Sequence, residues 1–172
     1  MSLTRWTPAA LAVVLALVLT AAAPAAGTRG GPLDGFTVTH LPDQVGAQAS
    51  AADFSYEWED VAFTSRAWEQ AKEGGGFQVV LQVLVMRGEE FVDLDAVRTF
   101  LARYHERDPD TWELTDLTRD DGAPGLRGDR EAFWTPGEGV AVEVRDTSGL
   151  LGQEELLATA RGVVEEKSGL SG

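Results

Sequence analysis

The 172-residue sequence contains no cysteine and only two histidines. Without cysteine the chain forms no disulfide, so its stability has to come from a hydrophobic core. The same absence excludes a lipid anchor on an N-terminal cysteine. A zinc site would need both histidines together with carboxylates, and neither histidine stands in a metal-ligand spacing. We therefore expect no metal and no other cofactor.

Basic residues are scarce as well. The chain has 14 lysines and arginines against 28 aspartates and glutamates, which gives a formal net charge of −14. A negative field of this size repels DNA, RNA and anionic lipid surfaces. We therefore expect no nucleic-acid partner. The expected partner is an unidentified ligand or a protein of the cell envelope.

The N-terminal segment has the features of a secretory signal peptide. One positive charge, Arg5, precedes an apolar run over residues 11–19, and small residues follow that run. Ala23 and Ala25 fit the −3 and −1 positions of a cleavage site, so we expect cleavage after Ala25. Residues 7–26 also approach the ~20 apolar residues that a membrane span needs, which leaves an N-terminal anchor as the alternative. The expected location is secreted or extracytoplasmic, with no membrane span after cleavage.

The remaining chain is predicted to form one domain over residues 36–166, between a linker at 26–35 and a flexible tail at 167–172. Alternating apolar residues predict strands, and apolar residues three or four apart predict helices. The predicted strands cover residues 36–40, 56–68, 77–86, 112–118, 126–134 and 140–145. One helix follows an N-cap at Asp93, with its apolar residues from Leu94 to Tyr104 and with Asp108-Pro109 against its continuation, and another covers about 153–164. This βββα-βββα order predicts an α+β fold with a mostly antiparallel sheet and both helices packed on one face.

Three local features are also predicted. The strand over residues 56–68 is expected to bulge near Glu59 and Asp60, where the apolar phase slips. Pro136 and Gly137 are expected to form a type II turn. Residues 43–53 are mostly small and polar, so we expect a loop there.

Six residues are expected to be nearly buried and packed together: Leu81, Val83, Phe100, Leu101, Val142 and Leu156.

The end of the chain resembles part of a known kind of exported domain. Over about 35 residues, Trp134, Gly137, Gly139 and the alternating valines of 140–144 precede Glu-Leu-Leu-Ala-Thr-Ala at 155–160. This pattern is similar to the closing hairpin and helix of small envelope domains related to lipoprotein carriers and anti-sigma regulators. The resemblance implies a non-catalytic role outside the cytoplasm. It supplies no ligand-binding residue, because its motifs are packing motifs.

Candidate site residues lie in the first half of the chain. His40 ends the first predicted strand on the same face as Phe36 and Val38, and it could act as a general base with a carboxylate such as Asp60. Tyr56 and Trp58 share a strand face and alternate with glutamates. Aromatic area beside carboxylates suits a sugar or a cationic peptide. We therefore take Tyr56, Trp58 and His40 as candidate ligand-binding residues, next to the loop over residues 43–53.

The sequence thus predicts an exported, non-enzymatic domain that binds a ligand or partner in the cell envelope or the medium. The alternative is a small secreted hydrolase that uses His40 with a nearby carboxylate, although no serine stands in a G-x-S-x-G elbow. A regulator of an envelope enzyme would instead show an exposed apolar patch. For the binding domain, replacing Trp58 by alanine is expected to weaken binding more than it lowers the melting temperature.

Overall fold

The computed structural model describes residues 30–46 and 49–166. The predicted signal peptide over residues 1–25 and the predicted tail over residues 167–172 lie outside these ranges. Within the described ranges, no helix is both long enough and apolar enough to cross a membrane.

The described ranges contain ten strands and two helices. The strands are β1 Gly31–Leu33, β2 Phe36–Val38, β3 Ser50–Trp58, β4 Val61–Ala71, β5 Phe77–Arg87, β6 Thr115–Leu117, β7 Gly125–Arg127, β8 Glu131–Gly137, β9 Val140–Asp146 and β10 Val163–Glu165. The helices are α1 Leu94–Tyr104 and α2 Gly152–Arg161. Seven strands form one antiparallel sheet in the order β3-β4-β5-β9-β8-β7-β6, and β1, β2 and β10 form a small second sheet. The predicted α+β class and mostly antiparallel sheet are confirmed.

The two helices lie on opposite faces of the seven-stranded sheet. In β5, Val83 and Val85 belong to the core that includes residues of α2, whereas Leu84 and Met86 belong to the core that includes residues of α1. The prediction that both helices pack on one face is therefore wrong. The physical reason is that β5 is apolar on both sides over this stretch, and a strand covered on both faces needs an element on each.

The six predicted core residues are all completely buried. They belong to two cores rather than one. Leu81, Val83, Val142 and Leu156 lie in the core on the α2 side, together with residues of the small sheet. Phe100 and Leu101 lie in the core on the α1 side. The predicted burial is thus confirmed, while the sheet separates the residues into two packed layers.

Residues 56–68 form a tight hairpin and not one bulged strand. Glu59 and Asp60 have φ angles of +49° and +63°, and they connect β3 directly to β4. Positive φ at both central residues is what a two-residue type I′ turn requires, and Asn-Gly or Asp-Gly is its usual sequence signal. Because neither residue is glycine, the sequence contains no such signal. The extended hairpin also takes residues 50–53 out of the predicted loop and into β3.

The turn between the last two strands of the large sheet also differs from the prediction. The turn between β8 and β9 is at Glu138 and Gly139, where Gly139 has a φ of +77°, and not at Pro136 and Gly137. An irregularity in the strand pairing between Trp134 and Gly137 accompanies this shift.

The start of α1 is as predicted, since the Asp93 carboxylate accepts a hydrogen bond from the Ala96 backbone N–H at 2.8 Å.

A buried arginine joins α2 and β10 to the sheet. The Arg119 guanidinium lies 3.9 Å from the ring centroid of Trp134 in β8. It donates hydrogen bonds to the carbonyl oxygens of Ala160 and Val163, and to the Asp121 carboxylate at 2.8 Å. One side chain therefore satisfies carbonyl groups at the end of α2 while it covers an aromatic face of the core.

Candidate functional site

The structure places His40 just beyond β2, beside α2. Its Nε2 lies 3.1 Å from Oε2 of Glu155, and its side chain is 43% exposed. Asp60 lies instead in the turn between β3 and β4. Within the described residues, no hydrogen bond or ion pair joins Asp60 to His40. The carboxylate next to His40 is thus that of Glu155, and the hydrolase alternative stays a prediction.

Tyr56 and Trp58 share the face of β3 that packs against α1. Tyr56 stacks on Phe63 with 4.7 Å between ring centroids, and its hydroxyl lies 2.6 Å from that of Tyr104. Trp58 makes edge-to-face contacts with Phe100 and Tyr104, each with 5.3 Å between centroids. Both side chains are only partly buried. Much of their aromatic area therefore holds α1 on the sheet, and the rest is open to a ligand.

The two tyrosine hydroxyls are neutral hydrogen-bonding groups at ordinary pH. Burial raises the pKa of Tyr56, and the hydrogen bond with Tyr104 raises it further. Burial also raises the pKa of Tyr104. A raised phenol pKa keeps the proton on the oxygen, so neither group acts as an acid near neutral pH.

A buried ionisable pair lies on the same face of the sheet, and sequence reasoning missed it. Glu143, in the middle of β9, is completely buried, and His105 follows the last turn of α1. The His105 Nε2 atom lies 2.9 and 3.0 Å from the two carboxylate oxygens of Glu143. Glu143 alternates with the valines of β9 and therefore lies on the other face of that strand. That face is covered by α1, and the histidine satisfies the buried carboxylate.

An open depression of about 750 Å³ lies where three connections meet at one end of the seven-stranded sheet. These are the β3–β4 turn, the segment after β5 and the β8–β9 turn. Four carboxylates and one guanidinium are among the lining residues, which are Glu59, Asp60, Arg87, Gly88, Glu89, Glu90 and Gly139. We call this region the acidic depression. Trp58 directly precedes its first carboxylate in the chain.

The single guanidinium of this lining is already neutralised. The Nε of Arg87 donates to the Asp34 carboxylate at 2.7 Å, and its Nη2 donates to the Asp34 carbonyl oxygen at 2.8 Å. Asp34 lies between β1 and β2, outside the depression. Arg87 therefore adds little positive charge to oppose the carboxylates.

Arg103 of α1 neutralises part of the rim. Its Nη2 lies 3.1 Å from Glu59 Oε2 and 3.3 Å from Glu90 Oε2. Asp60 and Glu89 have no ion-pair partner within residues 30–46 and 49–166. The described residues also contain no group of three acidic or histidine side chains close enough to hold a metal ion. The carboxylates are therefore spread along the rim, which suits an extended organic cation better than a point charge.

Comparison with known proteins adds no further constraint on the site. No family model matches the chain, and neither a curated protein nor a solved structure matches it. The resemblance of the C-terminal segment to envelope domains stays a prediction.

Proposed function

We propose that this protein is an exported, non-enzymatic binding domain whose acidic depression takes a basic peptide segment of an envelope partner. The observation that carries the proposal is the open depression of about 750 Å³ with four carboxylates, two of which have no cation among the described residues. Like charges held together at a surface cost energy, and an opposite charge from outside relieves that cost.

The dimensions of the depression support a ligand larger than an ion. Its volume lies in the range of roughly 300–1,000 Å³ that is usual for organic ligands. One exposed ion pair contributes only about 0.2–1 kcal/mol, so useful affinity needs several cations on one ligand. A peptide segment with consecutive lysines or arginines supplies several cations, one on each neighbouring side chain.

Apolar area beside the carboxylates supports the same kind of ligand. Val92 is 62% exposed and lies in the segment that carries Glu89 and Glu90. Trp58 is the last residue of β3, directly before the β3–β4 turn, and it is only partly buried. The aliphatic stems of lysine and arginine side chains pack on such groups while the charged ends reach the carboxylates.

The histidine on which the hydrolase alternative depends does not line the acidic depression. The described lining contains carboxylates, a guanidinium and glycines, and it contains no hydroxyl, thiol or imidazole group. His40 lies elsewhere, against Glu155.

Isothermal titration calorimetry with a lysine pentapeptide amide tests the proposal. The double variant Asp60→Asn/Glu89→Gln removes the two carboxylates without an ion pair. We expect its affinity for the peptide to fall about tenfold, because two exposed charge pairs together contribute about 1.4 kcal/mol.

The matched control is Asp110→Asn/Glu113→Gln, which removes two exposed carboxylates outside the depression. We expect this control to change the affinity less than twofold. Equal losses in the two variants would contradict the proposal, because the net charge of the chain would then account for the attraction.

A further inference from the structure

A small recess of the opposite sign lies at the far end of β9 from the acidic depression. Its volume is about 240 Å³. The lining residues are Arg107, Arg130, Glu131, Arg145, Asp146 and Thr147. Three of the 14 basic residues of a strongly acidic chain thus converge on one recess. We call it the arginine recess.

The carboxylate of the aspartate in the arginine recess accepts hydrogen bonds from backbone N–H groups. Asp146 Oδ1 accepts hydrogen bonds from the N–H groups of Gly149 and Leu150, at 2.6 and 3.2 Å. Its Oδ2 accepts one from the N–H of Leu151 at 2.9 Å. This carboxylate therefore stabilises the turn before α2 and does not pair with any arginine of the recess.

Both carboxylate oxygens of the glutamate in the arginine recess also accept hydrogen bonds. Glu131 is buried, and its Oε1 accepts a hydrogen bond from Trp112 Nε1 at 2.7 Å. Its Oε2 accepts one from Arg107 Nη2 at 3.1 Å. Glu131 therefore positions Arg107 at the edge of the recess and leaves the other two guanidinium groups without a carboxylate from the lining.

The arginines of the recess differ in their partners. Arg130 donates to the carbonyl oxygens of Asp146 and Thr147. The backbone of Arg145 is paired in the sheet, but its side chain donates no hydrogen bond within the described part of the chain. Its closest carboxylate oxygen, Oε1 of Glu143, is 3.8 Å from its Nε, and that side chain is already bonded to His105. The Arg145 side chain is only 26% exposed, so its donors lack both protein acceptors and full hydration.

We infer that the arginine recess binds the carboxylate group of a small organic acid, with Arg145 as the main donor. The lining has three guanidinium groups, and its two carboxylates accept hydrogen bonds from other donors, which leaves guanidinium N–H groups for an anion. The planar guanidinium fork fits a carboxylate through two parallel hydrogen bonds. The volume is below the roughly 300–1,000 Å³ of sites for larger ligands, so the acid is small.

Titration with sodium acetate tests this site, with phosphate and chloride as parallel probes at constant ionic strength. The readout is the NMR signal of the Arg145 Nε–H group. We expect acetate to shift this signal with saturation, and phosphate and chloride to shift it much less. The absence of a saturable acetate shift would overturn the inference, and so would saturable binding of phosphate without binding of acetate.

Substitutions locate the binding. Arg145→Gln is expected to weaken acetate binding about tenfold, followed through the Arg107 Nε–H signal, because a charge-assisted donor pair is lost. Arg161→Gln is the matched control, since Arg161 is exposed on α2 at the opposite face of the sheet, and it is expected to leave the affinity unchanged. Unchanged affinity in a folded Arg145→Gln variant would overturn the inference. If that variant does not fold, Arg107→Gln provides the same test through the Arg145 signal.

This inference is independent of the proposed function. The Asp60→Asn/Glu89→Gln variant is expected to bind acetate as the unaltered protein does, since its substitutions lie in the acidic depression. Loss of acetate binding in that variant would contradict a separate anion site.

Discussion

Arg103 donates a hydrogen bond to Glu59 at the rim of the acidic depression, with 3.1 Å between Nη2 and Oε2. The same guanidinium lies 3.3 Å from Glu90 and 5.7 Å from the ring centroid of Phe100. Both Arg103 and Glu59 are half-exposed, so the pair is hydrated and weak. The guanidinium group of Arg103 thus occupies a position at the rim where a cationic side chain of the proposed peptide ligand would bind.

Removing this internal cation is expected to strengthen binding. Arg103→Gln frees the carboxylates of Glu59 and Glu90, and we expect the affinity for a lysine pentapeptide amide to rise about threefold to fivefold by calorimetry. Arg161→Gln makes the same change in net charge on the other face of the sheet and is expected to have a smaller effect. A weaker affinity in the Arg103→Gln variant would show that Arg103 takes no part in competition for the carboxylates.

The buried pair of His105 and Glu143 is expected to contribute strongly to stability. Glu143→Ala leaves His105 without its partner and opens a cavity, so we expect the free energy of unfolding to fall by about 3–5 kcal/mol. Urea unfolding measures this change. The control Glu138→Ala, in the exposed β8–β9 turn, is expected to change stability by less than about 0.5 kcal/mol. A small effect of Glu143→Ala would mean that burial of the carboxylate is not compensated by His105.

The sequence predicted the elements with strong local signals. Strand β5 alternates apolar residues over its whole length, and α1 begins at a capping aspartate, so both were found within a residue or two. The hairpin turn at Glu59 and Asp60 was missed because its residues are not the usual ones for positive φ. The packing of the two helices on opposite faces of the sheet was missed because the apolar pattern of a strand does not show which helix covers which face.

Because the two faces of the sheet have separate cores, substitutions in different cores are expected to lower the free energy of unfolding additively. Leu101→Ala and Leu156→Ala are each expected to cost about 2–5 kcal/mol, and the double variant is expected to equal their sum within about 0.5 kcal/mol. Phe91→Leu with Phe100→Leu is the contrasting pair, because these rings touch with 5.1 Å between centroids. Coupling between Leu101 and Leu156 as large as that between the two phenylalanines would contradict the separation of the cores.

The contact between Asp121 and Arg119 predicts a dependence of stability on acid. The hydrogen bond from Arg119 is the main cause that lowers the pKa of Asp121. A lowered pKa in the folded state means that the contribution is present above the ordinary value of about 3.9 and is lost as the pH falls through the lower value. Because Asp121 is 46% exposed, we expect less than about 1 kcal/mol.

Urea unfolding of the unaltered protein and of Asp121→Asn checks this dependence. The two proteins are expected to differ in stability at pH 7, and the difference is expected to shrink as the pH falls below the ordinary pKa of an aspartate. A difference that stays constant down to pH 2 would show that the charge of Asp121 is not responsible.

The candidate site was only partly accessible from the sequence. Tyr56 and Trp58 share one face of β3, as the alternation of a strand predicts, and their role in binding stays a prediction. The acidic depression also uses residues near 88–90 and Gly139, which are distant in sequence and meet only because β3–β4, β5 and β9 pair in that order. His40 was predicted to end the first strand on the face of Phe36 and Val38, but β2 ends at Val38 and the His40 ring pairs with Glu155 of α2.

The most direct test of the acidic depression is NMR mapping of a bound basic peptide. Backbone amide shifts of ¹⁵N-labelled protein are recorded during titration with the lysine pentapeptide amide at physiological salt, where charges more than about 8 Å apart are largely screened. We predict that the largest saturable shifts fall on residues 59–60, 87–90 and 138–139. Shifts spread evenly over the acidic surface, or concentrated away from these three segments, would contradict binding in the acidic depression.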